Sequence, residues 1–583
     1  MKKVTAMKYP TARLLDYDAD TEFDVVVIGA GAGGLAAALF AAIRGARVIV
    51  IEKTSLVGGT TAYTAGTLWI PGTHLAREAG GPAADIDSAE RYLDAAVGER
   101  SDRDQRRAFL RAGPQAVEIL AREPGMRFRV RPHHPDYMGE LPDAALGWRP
   151  IEALTVNGAK VPGLKIMRQQ TEEFTVFGGL MLEHAEVSDF SKLARAPFDP
   201  RNWPTLVRAA LVFGKHLITR PFYGRATRLT MGNALIGRLM IALSHHKVPI
   251  IVNAGVVEIV TTADRVTGVI VEQDGERRRL GVRDALISAT GGFNRSAGRR
   301  SELMPQVPME WSPIAPGSTG ELHDQIEAIG GYYGPLPDTA GFWAPVSLPP
   351  RSDGTRGVYS HFALDRAKPG FVVVDQDGQR YLNESLSYHR FGLAMQQRDG
   401  GKGMPSYLIG DSLAVKRFGI GAVRPGGWGI RRRMRDGYLL RESSLEGLAK
   451  KLGMNPASFT ETIEQFNRLA ASGVDVDLHR GTTAYERNIG DASHGPNPSL
   501  GPLTKGPYYA IRLYPGDIGA AMGFVTDSNA RVLRRDGSAI GGLYAIGNDM
   551  QSIMGDRYPG PGVTLGPALV FGYIAVHDAL SAR

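Results

Sequence analysis

Residues 23–52 constrain the fold of this chain more than any other stretch. Phe23-Asp24-Val25-Val26-Val27-Ile28 is almost continuously apolar and β-branched, as a strand buried on both faces must be. Gly29-Ala30-Gly31-Ala32-Gly33-Gly34 follows without a gap, and Leu35 to Arg44 then reads as a helix. After Gly45 a second strand, Arg47 to Ile51, ends at Glu52, eighteen residues beyond Gly34. Strand, glycines, helix, strand and acid in that order form a dinucleotide-binding fingerprint, which a chance glycine turn would not reproduce. Gly29 permits the tight turn, Gly31 lets the main chain approach a pyrophosphate, and Gly34 allows the helix to pack closely on the strand. The helix N-terminus attracts the phosphate charge. Glu52 stands where a carboxylate accepts hydrogen bonds from ribose hydroxyls.

Composition bounds what else the chain can be. Its 583 residues, 43% hydrophobic and 22% charged, are enough to bury a large core in two or more domains. With no cysteine, disulfides, thiolate nucleophiles and cysteine-ligated zinc or iron–sulfur clusters are excluded from it. The histidines show no metal-binding spacing, so no metal is assigned. The first 23 residues carry two early lysines but no apolar run, which reads as neither a secretory signal nor a membrane anchor and implies a cytoplasmic protein. A net charge of +8 and a pI near 9.4 fit nucleic acid, an anionic membrane surface or solvated basic faces. No nucleic-acid-binding motif is present, which leaves the last two.

Residues 191–228 sharpen the membrane option. Lys192, Arg195, Arg201, Arg208, Lys215, Arg220, Arg225 and Arg228 face the single acid Asp199, with Trp203, Leu206, Val207, Leu211, Val212, Phe213, Leu217, Ile218, Phe222 and Tyr223 interleaved. Charges recur too often for a spanning helix. Two readings remain: a basic amphipathic helix lying on the inner face of the cell membrane, or a helix packed on its own domain with a solvated basic face.

The segment after Glu52 separates the dinucleotides. Lys53 to Gly66 is rich in glycine and threonine, including Gly59, Thr60, Thr61 and Gly66, and resembles the second pyrophosphate and isoalloxazine contact of FAD proteins of the fumarate reductase superfamily. Ala285 to Phe293, with Ala289 and Gly291, resembles the strand that returns to the FAD domain there. Leu543 to Asp549, with Gly547, Asn548 and Asp549, resembles its last flavin-contacting strand, where the acid meets the ribityl or phosphate end. The resemblance implies an α/β chain with a discontinuous Rossmann-like FAD-binding domain, 20–299 and 515–583, and an inserted α+β catalytic domain, 300–514. Leu229 to His245, Ser444 to Ser472 and Pro567 to Leu580 read as helical, and the stretch from Arg300 to Tyr514 is otherwise irregular. A second GxGxxG after a strand is missing, so the electrons come from an organic substrate rather than a built-in NAD(P)H domain. Gly59 to Gly66 contains no histidine, which implies non-covalent FAD.

Three further segments narrow the resemblance: Tyr558 to Tyr573 (YPGPGVTLGPALVFGY), Arg380 to Tyr388 (RYLNESLSY) and Thr230 to Leu235 (TMGNAL). Together they resemble the 3-ketosteroid Δ1-dehydrogenases, FAD enzymes that introduce a 1,2 double bond into a 3-oxosteroid. The resemblance implies that Tyr388 removes the proton from carbon 2, that Tyr558 and the Gly562 N–H bind the 3-oxo group, and that Tyr137 supports the base. Thr564 and Leu565, at the start of the last helix, are implied flavin contacts. A quinone or another electron acceptor completes the turnover.

The chemistry is consistent with these residue types. The proton alpha to a ketone must leave as hydride departs from the neighbouring carbon to the flavin, and two hydrogen-bond donors on the carbonyl stabilise the developing enolate by about 3 kcal/mol each. Tyrosine is a demanding base, since its ordinary pKa is about 10. A second phenol or a nearby positive charge favours its phenolate, and an alkaline activity optimum is expected. His389 is expected to turn away from Tyr388 by strand alternation. Taken singly, Tyr388 and Tyr137 also fit tyrosines packed with the hydroxyl at a wet edge, Gly562 fits a turn, and Asn383-Glu384 fits a loop brace. Two related enzymes stay open: a fumarate reductase-like oxidoreductase, with Arg295, Arg380 or Arg390 clamping carboxylates, and a Δ4(5α) 3-oxosteroid dehydrogenase. A non-catalytic FAD-fold protein binding a lipid or partner is the alternative from another class.

Overall fold

A computed structural model describes residues 11–83, 85–183 and 200–581 together with Tyr9, Glu186 and Asp189. Lys192, Arg195 and Asp199 lie outside the described residues. The first strand, Thr21–Ile28, is paired in parallel on one side with Val48–Ile51 and on the other with Glu276–Ser288. Ala539–Ala545 joins the last of these in parallel, and Ile250–Ile251 extends the other edge. An antiparallel pair, Ala254–Thr262 and Arg265–Gln273, and Arg531–Leu533, antiparallel to Ala539–Ala545, complete an eight-stranded sheet.

Register is what builds the site. Ile28 lies opposite both Ile51 and Ser288, and Ser288 lies opposite Ala545. The strands therefore end together, and the residues just beyond them, Gly29, Glu52, Ala289 and Ile546, share one edge of the sheet. Ligands of open α/β sheets bind at such carboxyl edges. Helices Ala32–Ile43 and Leu565–Ala579 pack against each other over this sheet, and alanines and glycines on both permit the close approach: a Cβ at Gly572 would lie 3.3 Å from the Ala37 methyl.

The stretch from Arg300 to Tyr514 is more regular than its sequence implies. It contributes most of a six-stranded antiparallel sheet, in the order Tyr359–Ser360, Gly341–Ser347, Tyr508–Ala520, Ser406–Gly410, Phe371–Val374, with Leu440–Glu442 at the side. These strands are short and buried on both faces, so their patterning lacks alternation. The helical region Ser444 to Ser472 is two helices, Leu445–Leu452 and Pro456–Ser472. Gly453 ends the first in the left-handed conformation, and the Asn455 side chain caps the second.

Candidate active site

The two glycine-rich segments converge. A Cβ on Gly29 would collide with the Ala289 carbonyl, and one on Gly34 with the Gly29 carbonyl, so both glycines are required by close approach. At Gly31 a Cβ would meet only the Thr61 hydroxyl, 4.0 Å away, leaving the main chain open to a ligand. Thr61 accepts a hydrogen bond from the Ala32 N–H at 3.3 Å, Thr60 one from the Ala315 N–H at 3.1 Å, and Gly59 lies over Gly31. Gly66 has φ of +68° and sits against Gly232 at the start of helix Met231–His245. Glu52 accepts from the Ala30 N–H at 2.9 Å and from the Thr54 N–H and hydroxyl at 2.8 Å. This set of main-chain donors, hydroxyls and one acid fits a dinucleotide. Lys53 turns outward, to Glu321 at 2.5 Å and the Thr319 hydroxyl.

Asp549 is fully buried, with several donors around its carboxylate. Ser288 Oγ donates at 2.5 Å, the Thr290 N–H at 2.6 Å and the Gly292 N–H at 2.7 Å, with the Thr290 hydroxyl and His323 beside them. Burial pushes the carboxyl up, but His323, Ser288 and the Thr290 amide outweigh it and hold it at about 2. Its carboxylate thus ties Gly547–Asp549 to the turn after Ser288, at the edge where the sequence resemblance sets the ribityl or phosphate end.

Four tyrosines distant in sequence share one buried cluster. The Tyr388 ring meets those of Tyr137 and Tyr558 edge-on, with centroids 5.4 and 5.1 Å apart, and the two neighbouring phenols act on its hydroxyl. Tyr485 packs on Tyr137 at 4.6 Å, and Phe362 closes the other side of Tyr388 at 5.0 Å. Burial, followed by the neighbouring phenols, pushes the Tyr388 hydroxyl well above the usual range, and Tyr137 likewise.

Each member is held by its own scaffold. Tyr388 opens the helix Tyr388–Gln397, so the strand alternation expected to turn His389 away does not apply. His389 is buried beside Tyr388, accepting at Nδ1 from the Trp343 N–H (3.2 Å) and meeting the Asp556 carbonyl with Nε2 (2.8 Å); burial pushes it down to about 4. The helix presses on strand Gly341–Ser347 at Gly392, where a Cβ would lie 2.5 Å from that of Trp343. Upstream, Glu384 is buried between Arg380 (2.8 Å) and Arg480 (2.9 Å), and Asn383 bonds Glu486, so Asn383-Glu384 braces the loop. Tyr137 is fixed through its main chain to Pro559 (2.8 Å), and the Tyr92 hydroxyl donates to the same carbonyl (2.6 Å). Asp136 is locked by Trp69 (2.8 Å) and by the fully buried Arg149 (2.5 Å).

Gly562 has φ of +92°, and a Cβ there would collide with the Thr67 carbonyl. Its carbonyl accepts from the N–H groups of Trp69 (3.2 Å) and Gly566 (2.8 Å); among the described residues its own N–H has no protein acceptor. Four residues after Tyr558, it leaves a donor at the entry to helix Leu565–Ala579. Sequence reasoning missed Tyr485, Arg366, Asp136 and Arg149; the only local signal was the pairing of a charge with an aromatic residue in Asp136-Tyr137 and Tyr485-Glu486.

The clamps of a fumarate reductase-like site are committed elsewhere. Arg380 pairs with Glu384 and Asp475, Arg390 with Glu140, and Arg295 with the main-chain carbonyls of Ser312 and Ile314.

Residues 24–565 match the FAD binding domain family. A 3-oxosteroid 1-dehydrogenase of Mycolicibacterium smegmatis is 33% identical, the match covering 96% of this chain and 98% of that one. A 4-oxocyclohex-2-ene-1-carboxylate 5-dehydrogenase of Sinomonas cyclohexanicum is also 33% identical, over 95% of this chain and 93% of its own. The crystal structure of a 3-ketosteroid Δ1-dehydrogenase from Sterolibacterium denitrificans, in complex with 1,4-androstadiene-3,17-dione, superposes with a TM-score of 0.87 at 31% identity, over 97% of this chain and 100% of that one. Fold, glycine-lined cofactor edge, tyrosine cluster and full-length similarity agree: the chain belongs to the FAD-dependent 3-ketosteroid Δ1-dehydrogenase family.

Proposed function

We propose that this protein dehydrogenates 3-oxosteroids across carbons 1 and 2, and that the meeting of Tyr388, Tyr137 and Tyr558, together with the unpartnered Gly562 N–H, is the observation that carries the reading. Bound FAD, held non-covalently by Gly29, Gly31, Glu52 and the Gly59–Thr61 segment, supplies the hydride acceptor. Tyr558 and Gly562 donate to the 3-oxo oxygen and stabilise the charge that develops there as the proton leaves carbon 2. Tyr388 takes that proton, with Tyr137 sharing its hydroxyl. Residues 300–514 act as the substrate domain between the two parts of the FAD domain, and a quinone or a similar acceptor reoxidises the enzyme.

The relative acting on a cyclohexene carboxylate favours a second, smaller substrate with the same ring-ketone chemistry. A carboxylate would need a cation that the substrate can touch, and of the two whose fields reach Tyr137 and Tyr485, Arg131 is paired with Glu152 at 3.1 Å and Arg366 is fully buried behind Tyr485. The steroid is therefore the better fit. Incubating the enzyme with androst-4-ene-3,17-dione or with the cyclohexenone carboxylate, each with an artificial electron acceptor, tests both; a 1,4-diene-3-one product identified by mass and ultraviolet spectrum is expected from the steroid alone, and no product from it overturns the reading.

Membrane contact forms part of the same proposal. Among the described residues, no helix is long and apolar enough to cross a membrane. Helix Trp203–Tyr223 nevertheless leaves Trp203, Leu206, Val207, Leu211, Leu217, Ile218 and Phe222 exposed at helical spacing on one face, Leu211 by 69%. Only Ala209 and His216 on it are buried, and Lys215 and Arg220 are exposed. An apolar face rimmed by cations supports a helix resting on an anionic lipid surface, on the cytoplasmic side, over one packed on its own domain. Co-sedimentation with anionic but not zwitterionic vesicles is expected; no co-sedimentation with either removes the membrane contact.

A further inference from the structure

Arg366 is a fully buried arginine whose charge is not matched by an acid. Its Nε donates to the His361 carbonyl (2.7 Å), one terminal nitrogen to the carbonyls of Glu384 (2.5 Å) and Leu386 (2.7 Å), the other to Phe362 (2.8 Å), and it lies 5.1 Å over the Phe391 ring. The other two large, fully buried arginines are different: Arg149 sits between Asp85 and Asp136, and Arg480 on Glu384. The neighbouring Asp365 is occupied by the His361 Nδ1 (2.7 Å), whose Nε2 meets the Ser347 hydroxyl (2.7 Å), and by the Gly421 N–H (2.8 Å).

A buried guanidinium without an ion-pair partner favours an anion nearby. The Arg366 charge acts on Tyr485, whose ring packs 4.6 Å from that of Tyr137, which in turn meets Tyr388 at 5.4 Å. We propose that Arg366, acting through Tyr485, is the positioning charge that makes Tyr388 a competent base. The inference rests on the tyrosine-base reading of the reaction. The packed phenols bring the field of the guanidinium toward Tyr388, where it favours the phenolate, and Arg366 stands at the far end of the cluster. With that charge present, the substrate C–H bond breaks, its proton bonds to the Tyr388 oxygen, and the electron pair passes to the enolate held by Tyr558 and Gly562. Neither Arg366 nor Tyr485 touches the substrate.

The other groups facing the phenols work less directly. Arg131 is paired with Glu152, and Glu486, on the helix of Tyr485, is held by Asn383 and by the amides of Gly481 and Thr482. His389 stands beside Tyr388, His134 lies 6.4 Å from the Tyr137 ring, and Arg390 and Arg557, whose fields reach His389, pair with Glu140 and Asp556.

Tyr485→Phe keeps the ring on Tyr137 and removes only the link. In the holoenzyme it is expected to lower kcat/KM about tenfold at neutral pH and to move the alkaline limb of the rate profile up by about one pH unit, with flavin content unchanged and the rate recovered at high pH. Arg366→Gln is expected to shift the limb further, and Arg366→Lys, which retains the charge, to restore part of the shift. A limb left in place, or a loss equal at every pH, overturns the inference. Phenolate absorbance titrated in the holoenzyme, wild type against Tyr388→Phe and Tyr485→Phe, gives a second readout that needs no substrate: an unshifted titration in Tyr485→Phe rejects the charge path, whereas a shifted titration with no steroid turnover rejects the proposed reaction alone.

Discussion

Asp549 and Tyr388 are both sealed from solvent, yet their neighbours treat them in opposite ways. Burial alone raises either group, because it penalises the charged form. Around Asp549, His323, two main-chain amides and two hydroxyls reverse that and keep the carboxylate charged. Around Tyr388, the nearest polar groups are other phenols, which add to the effect of burial. One region is a brace that joins two strand ends; the other keeps its hydroxyl protonated. Depth of burial therefore says little about what a titratable group does, and the balance of donors and like-charged neighbours says much more.

The contrast is most severely tested at Tyr388. Tyr388→Phe is expected to lower turnover by up to about 10⁴-fold while leaving bound flavin intact; near-normal turnover in a steady-state assay would remove the base. In the wild-type enzyme kcat/KM should climb with pH through the alkaline range, because the competent form is the phenolate and its ordinary pKa is raised. A profile flat from acid to neutral pH contradicts a tyrosine base.

Asp549→Ala breaks the other side of the contrast. It leaves the donors of Ser288, Thr290, Gly292 and His323 without their acceptor, and a loss of about 4 kcal/mol in unfolding stability is expected, with weakened flavin retention. Unchanged chemical denaturation would show that these donors find other partners. The sign with pH is also set: the folded carboxyl is held at about 2, below its value of about 3.9 in the unfolded chain. Its contribution is therefore complete above that unfolded value and is lost as pH falls toward 2.

Two smaller effects sharpen the picture. Tyr558→Phe removes one of two donors to the developing enolate and should cost about 10³-fold in kcat, measured alongside an unchanged flavin spectrum. His389, pushed from 6.5 down to about 4 by burial, binds protons more readily in the unfolded chain. Stability is then full above pH 6.5 and declines as pH falls to 4, by at most about 3 kcal/mol. Thermal unfolding across that interval should be flatter in His389→Gln, and an identical slope in both proteins would assign the acid sensitivity elsewhere.

Legibility in the sequence tracked distance along the chain. Gly29, Gly31, Gly34 and Glu52 could be read because strand, turn, helix and strand are contiguous, and each residue answers a local steric need. Gly562 was legible for the same reason, lying four residues beyond Tyr558 in a loop of conformationally restricted residues. His389 was misplaced because Tyr388 was read as part of a strand, whereas it begins a helix; the short buried strands of the second sheet carried no period to correct that reading. Asp549 was recognised as part of the flavin edge, but its donors come from Ser288 to Gly292 and from His323, which no local pattern connects to it. Arg366 and Tyr485 carried no motif at all.

By itself the sequence determined the dinucleotide edge and the flavoprotein family and offered the candidate side chains, because those depend on short runs of backbone geometry and on residue chemistry. Only the tertiary structure decided that Tyr137, Tyr388, Tyr485 and Tyr558 pack in one buried cluster and that a buried guanidinium without an ion pair stands near it. Electrostatic character at that depth is set by what packs within a few ångströms, and packing joins residues that are hundreds of positions apart.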